Sequence, residues 1–258
     1  LVMPRQDPLA HPRWRWGVIA LICADLLIAH IPLNPPIPLD LYRSPSPGAA
    51  ELQQRARGDR LFLNAEDEYA LKFKRFFLFD TYHIGEDWLN LRQVYLPNSN
   101  MLDDLPSANN FDPLVPARYA RWMKFLAQAD QPTLDRLLAR MSVGLVEQVD
   151  DSQPYGIRFS AVQSLGRVRW VPCAIPARDA DDAWSRVIHE NYTPGFALDY
   201  VVLEGIAPLE GASSETDHCD PSGTASVEVV ADQPDSQSVK VQSTTSGWMV
   251  FADTWYQG

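Results

Sequence analysis

The chain has 258 residues, a length that suits one large domain or two small ones. Its apolar content of 46% is enough for a hydrophobic core and excludes a disordered chain. The formal net charge is −11, from 22 basic and 33 acidic residues, and a nucleic-acid-binding protein would need a basic face instead. We therefore expect a folded protein that binds no nucleic acid.

The most apolar stretch lies between residues 13 and 36 and is apolar on all sides of a helix. Arg13 and Arg15 precede it, and basic residues mark the cytoplasmic end of a membrane helix. The stretch is short for a span and contains Asp25, a charge that is costly in lipid unless it faces protein or water. We predict a transmembrane helix over residues 13–34. A signal peptide and a buried helix of a soluble domain remain alternatives.

A proline-rich segment and then a segment of helix formers follow this stretch. Five prolines between residues 33 and 48 predict a stiff, extended spacer, and good helix formers follow it. The fold class that we predict is α+β, a mixed α/β extracytoplasmic domain and a β-rich C-terminal module after one N-terminal transmembrane helix. The predicted divisions are a loop remnant (1–12), the transmembrane helix (13–34), a proline-rich linker with a short helix (35–58), the α/β domain (59–205) and a truncated β-rich module (206–258).

Hydrophobic periodicity predicts the elements of the folded region in chain order. Strands are predicted where β-branched and aromatic residues dominate, and helices where apolar residues recur every three or four positions. The predicted helices are Ala49–Arg57, Leu114–Ala127, Thr133–Met141 and Asp179–Glu190, the last with Asp179 as its cap. The predicted strands are Arg60–Asn64, the second half of Tyr69–Asp80, Val143–Val149, Ile157–Val162, Val168–Ile175, Leu198–Leu203, Ala225–Val230, Ser238–Gln242 and Trp248–Trp255.

The three cysteines, Cys23, Cys173 and Cys219, form no recognisable disulfide framework. A Cys173–Cys219 bridge is left open. Their spacing does not match a zinc site, and no nucleophile elbow, phosphate-binding loop or HExxH helix occurs. We therefore expect no metal site and no cofactor, and we predict no catalytic residue in this chain.

The loop Pro97–Pro113 is the candidate binding segment. Its asparagines can bond their own backbone in turns, and its apolar residues Met101, Leu105 and Phe111 predict a buried side. The loop should therefore be ordered, with other polar groups facing outward for hydrogen bonds to sugar hydroxyls. Asp112 could also cap a helix that starts at Leu114. The candidate binding residues are Asn98, Asn100, Asn109 and Asp112.

Residues 96–119 read LPNSNMLDDLPSANNFDPLVPARY and resemble the signature of YfhO-like bacterial membrane proteins, in which a "GYDPL…RY" run precedes a helix. Asn110 stands where that family usually has Gly, and Phe111 where it often has Tyr. Other stretches agree in order along the chain. They are Ala24–Leu26 with Asn34 and Pro35, Leu137–Val149, Arg167–Pro172, Tyr200–Glu204 and Val241–Gly258.

The resemblance implies a polytopic protein of the bacterial cell membrane, built like glycosyltransferases that use polyprenyl-phosphate sugars to modify cell-surface polymers. It implies that the catalytic carboxylates lie in early extracytoplasmic loops, upstream of Leu1. This chain would then be an extracytoplasmic region, expected to position the acceptor glycan or to serve as structure. The partners implied are the lipid bilayer, the polyprenyl-phosphate sugar and the glycan. The alternatives are a secreted or membrane-anchored carbohydrate-binding module without transferase activity and a structural envelope protein.

Overall fold

A computed structural model describes residues 14–30, 39–77, 84–109, 115–189, 200–205, 222–233 and 236–253. It contains helices together with strands in several small sheets, which confirms the predicted α+β class. The α-helices are α1 (Trp14–His30), α2 (Asp40–Arg43), α3 (Ala49–Ala56), α4 (Ala65–Tyr69), α5 (Ile84–Gln93), α6 (Ala117–Leu126), α7 (Gln131–Arg140) and α8 (Ala180–His189). The strands are β1 (Arg60–Leu63), β2 (Val143–Val149), β3 (Ile157–Ala161), β4 (Val168–Val171), β5 (Cys173–Ala177), β6 (Tyr200–Glu204), β7 (Ala225–Gln233), β8 (Ser236–Ser243) and β9 (Trp248–Phe251).

Helix α1 occupies the stretch predicted to be a transmembrane helix over residues 13–34. It is 17 residues long, and its side chains from Trp14 to Ala29 are all exposed. Among the residues that the structure describes, no helix is both long enough and apolar enough to cross a membrane.

The main sheet has the strand order β1–β2–β3, with β2 in the centre. Strand β1 pairs parallel to β2, and β3 pairs antiparallel to it. The apolar residues of β1 and β2 alternate between two faces, as the pleat of a strand requires. Phe62 and Val146 pack against α6 and α7, whereas Leu61 and Leu145 pack against α3 and the loop that follows α5. The sheet is therefore covered on both faces.

The segment after β1 corrects one prediction. We predicted a strand over the second half of Tyr69–Asp80, of which residues 75–77 are described. Arg75 and Phe76 are instead helical, because α4 continues into a π-helix over Ala70–Phe76. The Asn64 side chain caps the start of α4 by accepting from the Asp67 backbone N–H at 2.7 Å. The π-helical spacing of five residues brings both Leu71 and Phe76 into the core. Tertiary burial thus decided the conformation of residues 70–76.

The described residues of the C-terminal half form three small two-stranded sheets. Strands β5 and β6 run parallel and are connected through α8, a βαβ unit. Strands β7 and β8 form a hairpin, and β9 pairs antiparallel with β4. The Arg167 side chain links these parts, because it contacts Asp232 of β7 at 2.8 Å and Asp253 after β9 at 3.3 Å.

The cysteines lie in different environments. Cys23 is exposed on α1 with a free thiol. Cys173 is buried at the start of β5 and is disulfide-bonded. The third cysteine of the chain, Cys219, lies outside the described residues.

Candidate functional site

The loop after α5 is described over residues 97–109 of the predicted segment Pro97–Pro113, and this part continues the main sheet. The backbone N–H of Leu61 donates to Pro106 O, and the backbone N–H of Ala108 donates to Leu61 O, both at 2.8 Å. The loop thereby covers the outer edge of β1, whose hydrogen-bonding groups would otherwise be unpaired. Within the loop, Leu105 is buried as predicted, whereas the predicted burial of Met101 is wrong, because its side chain is 70% exposed. Phe111 lies outside the described residues.

The predicted binding residues occupy three different environments. Asn98 is exposed and has a left-handed backbone with φ 77°. Asn100 is buried, and its Nδ2 donates to Leu105 O at 2.5 Å. Asn109 binds both backbone groups of Leu63: its Oδ1 accepts from the N–H at 2.8 Å, and its Nδ2 donates to the carbonyl at 2.7 Å. The Asn100 side chain therefore stabilises the loop itself, and the Asn109 side chain binds the loop to β1.

The fourth predicted binding residue, Asp112, lies outside the described residues. Its proposed role as a helix cap is wrong for α6. That helix begins at Ala117 with Pro116 at the N-cap position and has no side-chain cap. The proline explains the shift, because it disfavours helical backbone at the residue before it and is itself suited to a helix start.

A buried ion pair anchors the tip of the loop. The side chain of Asp103 in the 3₁₀ helix Ser99–Asp103 is 0% exposed, and Arg92 at the end of α5 is 8% exposed. Arg92 Nη2 donates to Asp103 Oδ1 at 2.9 Å and also reaches Ser44 O at 3.2 Å. A charge buried this deeply is tolerated only when it is paired and hydrogen-bonded. The pair thus holds α5 and the loop in one position.

The same carboxylate also binds the proline-rich linker. Asp103 Oδ1 accepts from the Ser46 backbone N–H at 3.0 Å, and Oδ2 accepts from Ser46 Oγ at 2.6 Å. Ser46 Oγ also lies 2.5 Å from the Tyr95 hydroxyl, and burial raises the pKa of Tyr95 above its ordinary value. Gln53 Nε2 of α3 donates to the Asp103 backbone carbonyl at 2.8 Å. We call Ser46, Arg92, Tyr95 and Asp103 the linker clasp.

The chemistry of the linker clasp is that of a structural contact. Among the described residues, the aliphatic hydroxyl that bonds to the Asp103 carboxylate is that of Ser46, and it is buried. No imidazole belongs to the clasp, so the arrangement lacks the usual general base of a hydrolase. No group of three or more His, Cys, Asp or Glu residues that could hold a metal ion occurs among the described residues. The clasp therefore positions the linker and the loop.

A second buried polar group lies on the same side of the sheet. Glu147 of β2 is 1% exposed, and its neighbours in register are Leu63 of β1 and Phe159 of β3. One carboxylate oxygen accepts from the Tyr95 backbone N–H, while Oε1 has no partner among the described residues. Burial, with a smaller contribution from Asp67, raises the pKa of Glu147 to about 8. At neutral pH this side chain is therefore mostly protonated.

Sequence reasoning missed all four residues of the linker clasp and also Glu147. Asp103 and Asp104 look alike in a polar loop, yet only Asp103 is buried. Its contact with Ser46 joins residues 57 positions apart, so no local pattern reveals it. Glu147 carried a weak signal, because an acidic residue within the apolar run Val143–Val149 must be either exposed or specially accommodated.

Comparison with known proteins adds no relative: the chain matches no protein-family model, no curated protein sequence and no solved structure.

The two bonds from Asn109 to Leu63 lead to a testable expectation. Asn109→Ala should lower the free energy of unfolding by about 2 kcal/mol, because both backbone groups of Leu63 lose their partners at a part-buried sheet edge. Asp104→Gly is the matched control, since Asp104 is exposed and glycine accepts its left-handed backbone without strain. Urea unfolding measures both variants. Equal stability of the two variants would contradict the structural role assigned to Asn109.

Proposed function

We propose that this chain is the membrane-anchored, extracytoplasmic region of a YfhO-like protein of the bacterial cell membrane. The parent protein resembles glycosyltransferases that transfer a sugar from polyprenyl phosphate to a cell-surface polymer. Within it, this region positions the acceptor glycan or supports the fold and contributes no catalytic residue. Membership of the family rests on the sequence resemblance, whereas two features of the structure support membrane attachment and location.

The exposed apolar surface of α1 carries the proposal of membrane attachment. Trp16, Leu21 and Ile22 are all more than half exposed, although they point to different sides of the helix. Each such side chain gains roughly 2 kcal/mol when it leaves water, so a helix of this composition favours lipid or apolar protein over solvent. The 17 residues of α1 measure about 25 Å, somewhat less than the roughly 30 Å of hydrocarbon in a bilayer. Asp25 would then face water or a neighbouring helix.

The disulfide of Cys173 supports the extracytoplasmic side. Disulfides form and persist in oxidising compartments, whereas the bacterial cytoplasm keeps thiols reduced. Cys173 is buried and disulfide-bonded. A reduced cysteine would pack equally well at this position, because it behaves as a small apolar residue. The bond is therefore better explained by the compartment than by packing. This agrees with the basic residues that precede α1.

Thiol labelling in intact cells tests the location. In a Cys23→Ser background, the protein is expected to react with a membrane-impermeant maleimide only after a membrane-impermeant reductant opens the disulfide of the buried Cys173. Its thiol is otherwise held in the disulfide. A Val230→Cys variant provides the control, because this exposed position on β7 should be labelled from outside without reduction.

Two results would overturn the proposal. Labelling of Val230→Cys only after lysis would place the domain in the cytoplasm. Recovery of the protein from the culture medium instead of the membrane fraction would favour the secreted carbohydrate-binding module.

A further inference from the structure

Five large apolar side chains near the linker clasp are exposed. They belong to the start of α2, to α5 and to the 3₁₀ helix, and they include Leu89 at 63% and Met101 at 70% exposure. Single exposed apolar residues are ordinary on a protein surface, whereas a contiguous group marks an interaction site. We call the group the apolar base. Its members are Leu39, Tyr42, Leu89, Met101 and Leu102.

The hydrogen bonds of Arg92 bring together the three elements that carry the apolar base. Arg92 bonds to Ser44 O and to Asp103 Oδ1, so α5 lies against both the residue that follows α2 and the 3₁₀ helix. Leu89 precedes Arg92 by three positions, which places both on the same side of α5. Met101 and Leu102 directly precede Asp103. Each of the five exposed side chains therefore lies within five residues of Ser44, Arg92 or Asp103, which meet through these bonds.

We propose that the apolar base rests on the surface of the lipid bilayer that holds α1, an inference that depends on the membrane attachment proposed above. Leu39 follows His30, the last residue of α1, by nine positions, and nine residues span at most about 30 Å. The patch is therefore confined near the bilayer by its connection to α1.

The composition of the patch also suits a bilayer surface. Tyrosine favours the headgroup layer, and leucine and methionine can enter the boundary of the acyl chains. The linker clasp would hold these side chains in a fixed orientation toward the lipid. Such contact would orient the whole domain relative to the membrane, and an acceptor-positioning region needs a defined orientation.

Depth-dependent fluorescence quenching tests the proposal on the full chain. An environment-sensitive nitrobenzoxadiazole probe is placed on single cysteines at Leu21, Leu89, Met101 or Val230 in a Cys23→Ser background. Each protein is reconstituted into phosphatidylcholine vesicles that contain lipids with a nitroxide near the headgroup. Leu21 reports on α1, and Val230 on β7 is a matched control that is exposed to a similar degree as Leu89, at 63%. Unchanged thermal unfolding confirms that each variant folds.

The expected result is quenching at Leu21, at Leu89 and at Met101, by about twofold or more at the last two, with little at Val230. If Leu21 is quenched while Leu89 and Met101 are not, the bilayer contact of the apolar base is overturned and membrane attachment stands. If none of the positions is quenched, both proposals fail. Equal quenching at Val230 and Met101 would also overturn the inference, since it would show no defined orientation.

Discussion

Glu147→Gln is expected to remove most of the pH dependence of stability between about pH 5 and pH 9. Folding raises the pKa of Glu147 from 4.5 to about 8, so between these values the folded state holds a proton that the unfolded chain has released. The free energy of unfolding therefore falls as the pH rises through this window, by on the order of 4 kcal/mol for this group. Glutamine cannot ionise and is free of this loss.

The stability difference between Glu147→Gln and wild type should change sign between about pH 5 and pH 9. At about pH 9 the wild-type protein must bury a charged carboxylate, whose Oε1 has no partner among the described residues. The Gln variant should then be more stable than wild type by about 2 kcal/mol, since its own unpaired amide N–H groups cost roughly 2 kcal/mol. At about pH 5 that amide cost remains, and the variant should be no more stable than wild type.

Urea unfolding of both proteins at several pH values measures this prediction. Glu51→Gln is the matched control, because Glu51 lies on the exposed face of α3 and its side chain is 75% exposed. The control should follow the wild-type pH profile. Parallel profiles for wild type and Glu147→Gln would show that Glu147 does not titrate between the two states as the structure indicates.

Asp103→Ala should destabilise the fold by about 4 kcal/mol, because it leaves the charge of Arg92 buried without its carboxylate. The Ser46 backbone N–H and hydroxyl lose their acceptors in the same step. The loss of stability should be largest near Ser46, since the Asp103 carboxylate holds the linker to the loop. Hydrogen exchange at Ser46 should therefore accelerate more than exchange in the centre of β2.

Two comparisons separate the contribution of the Asp103 charge to stability from that of its hydrogen bonds. Asp103→Asn keeps the shape of the side chain and should cost about 2 kcal/mol, whereas Asp104→Asn at the exposed neighbouring position should cost almost nothing. Replacing both members of the pair, as in Arg92→Met with Asp103→Leu, should cost less than Asp103→Leu alone. If Asp103→Asn and Asp104→Asn unfold at the same urea concentration, the linker clasp contributes no stability.

Local sequence patterns determined the central elements of the fold. Strand β2 has the predicted bounds Val143–Val149, because a run of β-branched and apolar residues suits a buried strand. Helix α7 was predicted at nearly its observed position from the repeat of Leu134, Leu137 and Leu138. The Asp179 side chain caps α8 as predicted, accepting from the Asp182 backbone N–H at 2.8 Å. Each of these depends on interactions within a few residues.

Tertiary structure decided what depends on distant residues. Residues 70–76 are helical because the Asn64 cap and the burial of Leu71 and Phe76 outweighed the strand preference of their aromatic residues. The pairing of β9 with β4 crosses most of the C-terminal half.

The candidate site was decided in the same way. The sequence by itself indicated an ordered polar loop with a buried side. It could not indicate that Asp103 would meet Ser46, or that Glu147 would be enclosed beside Tyr95. Burial of a polar group depends on which segments cover it, and that is set only when the whole chain packs.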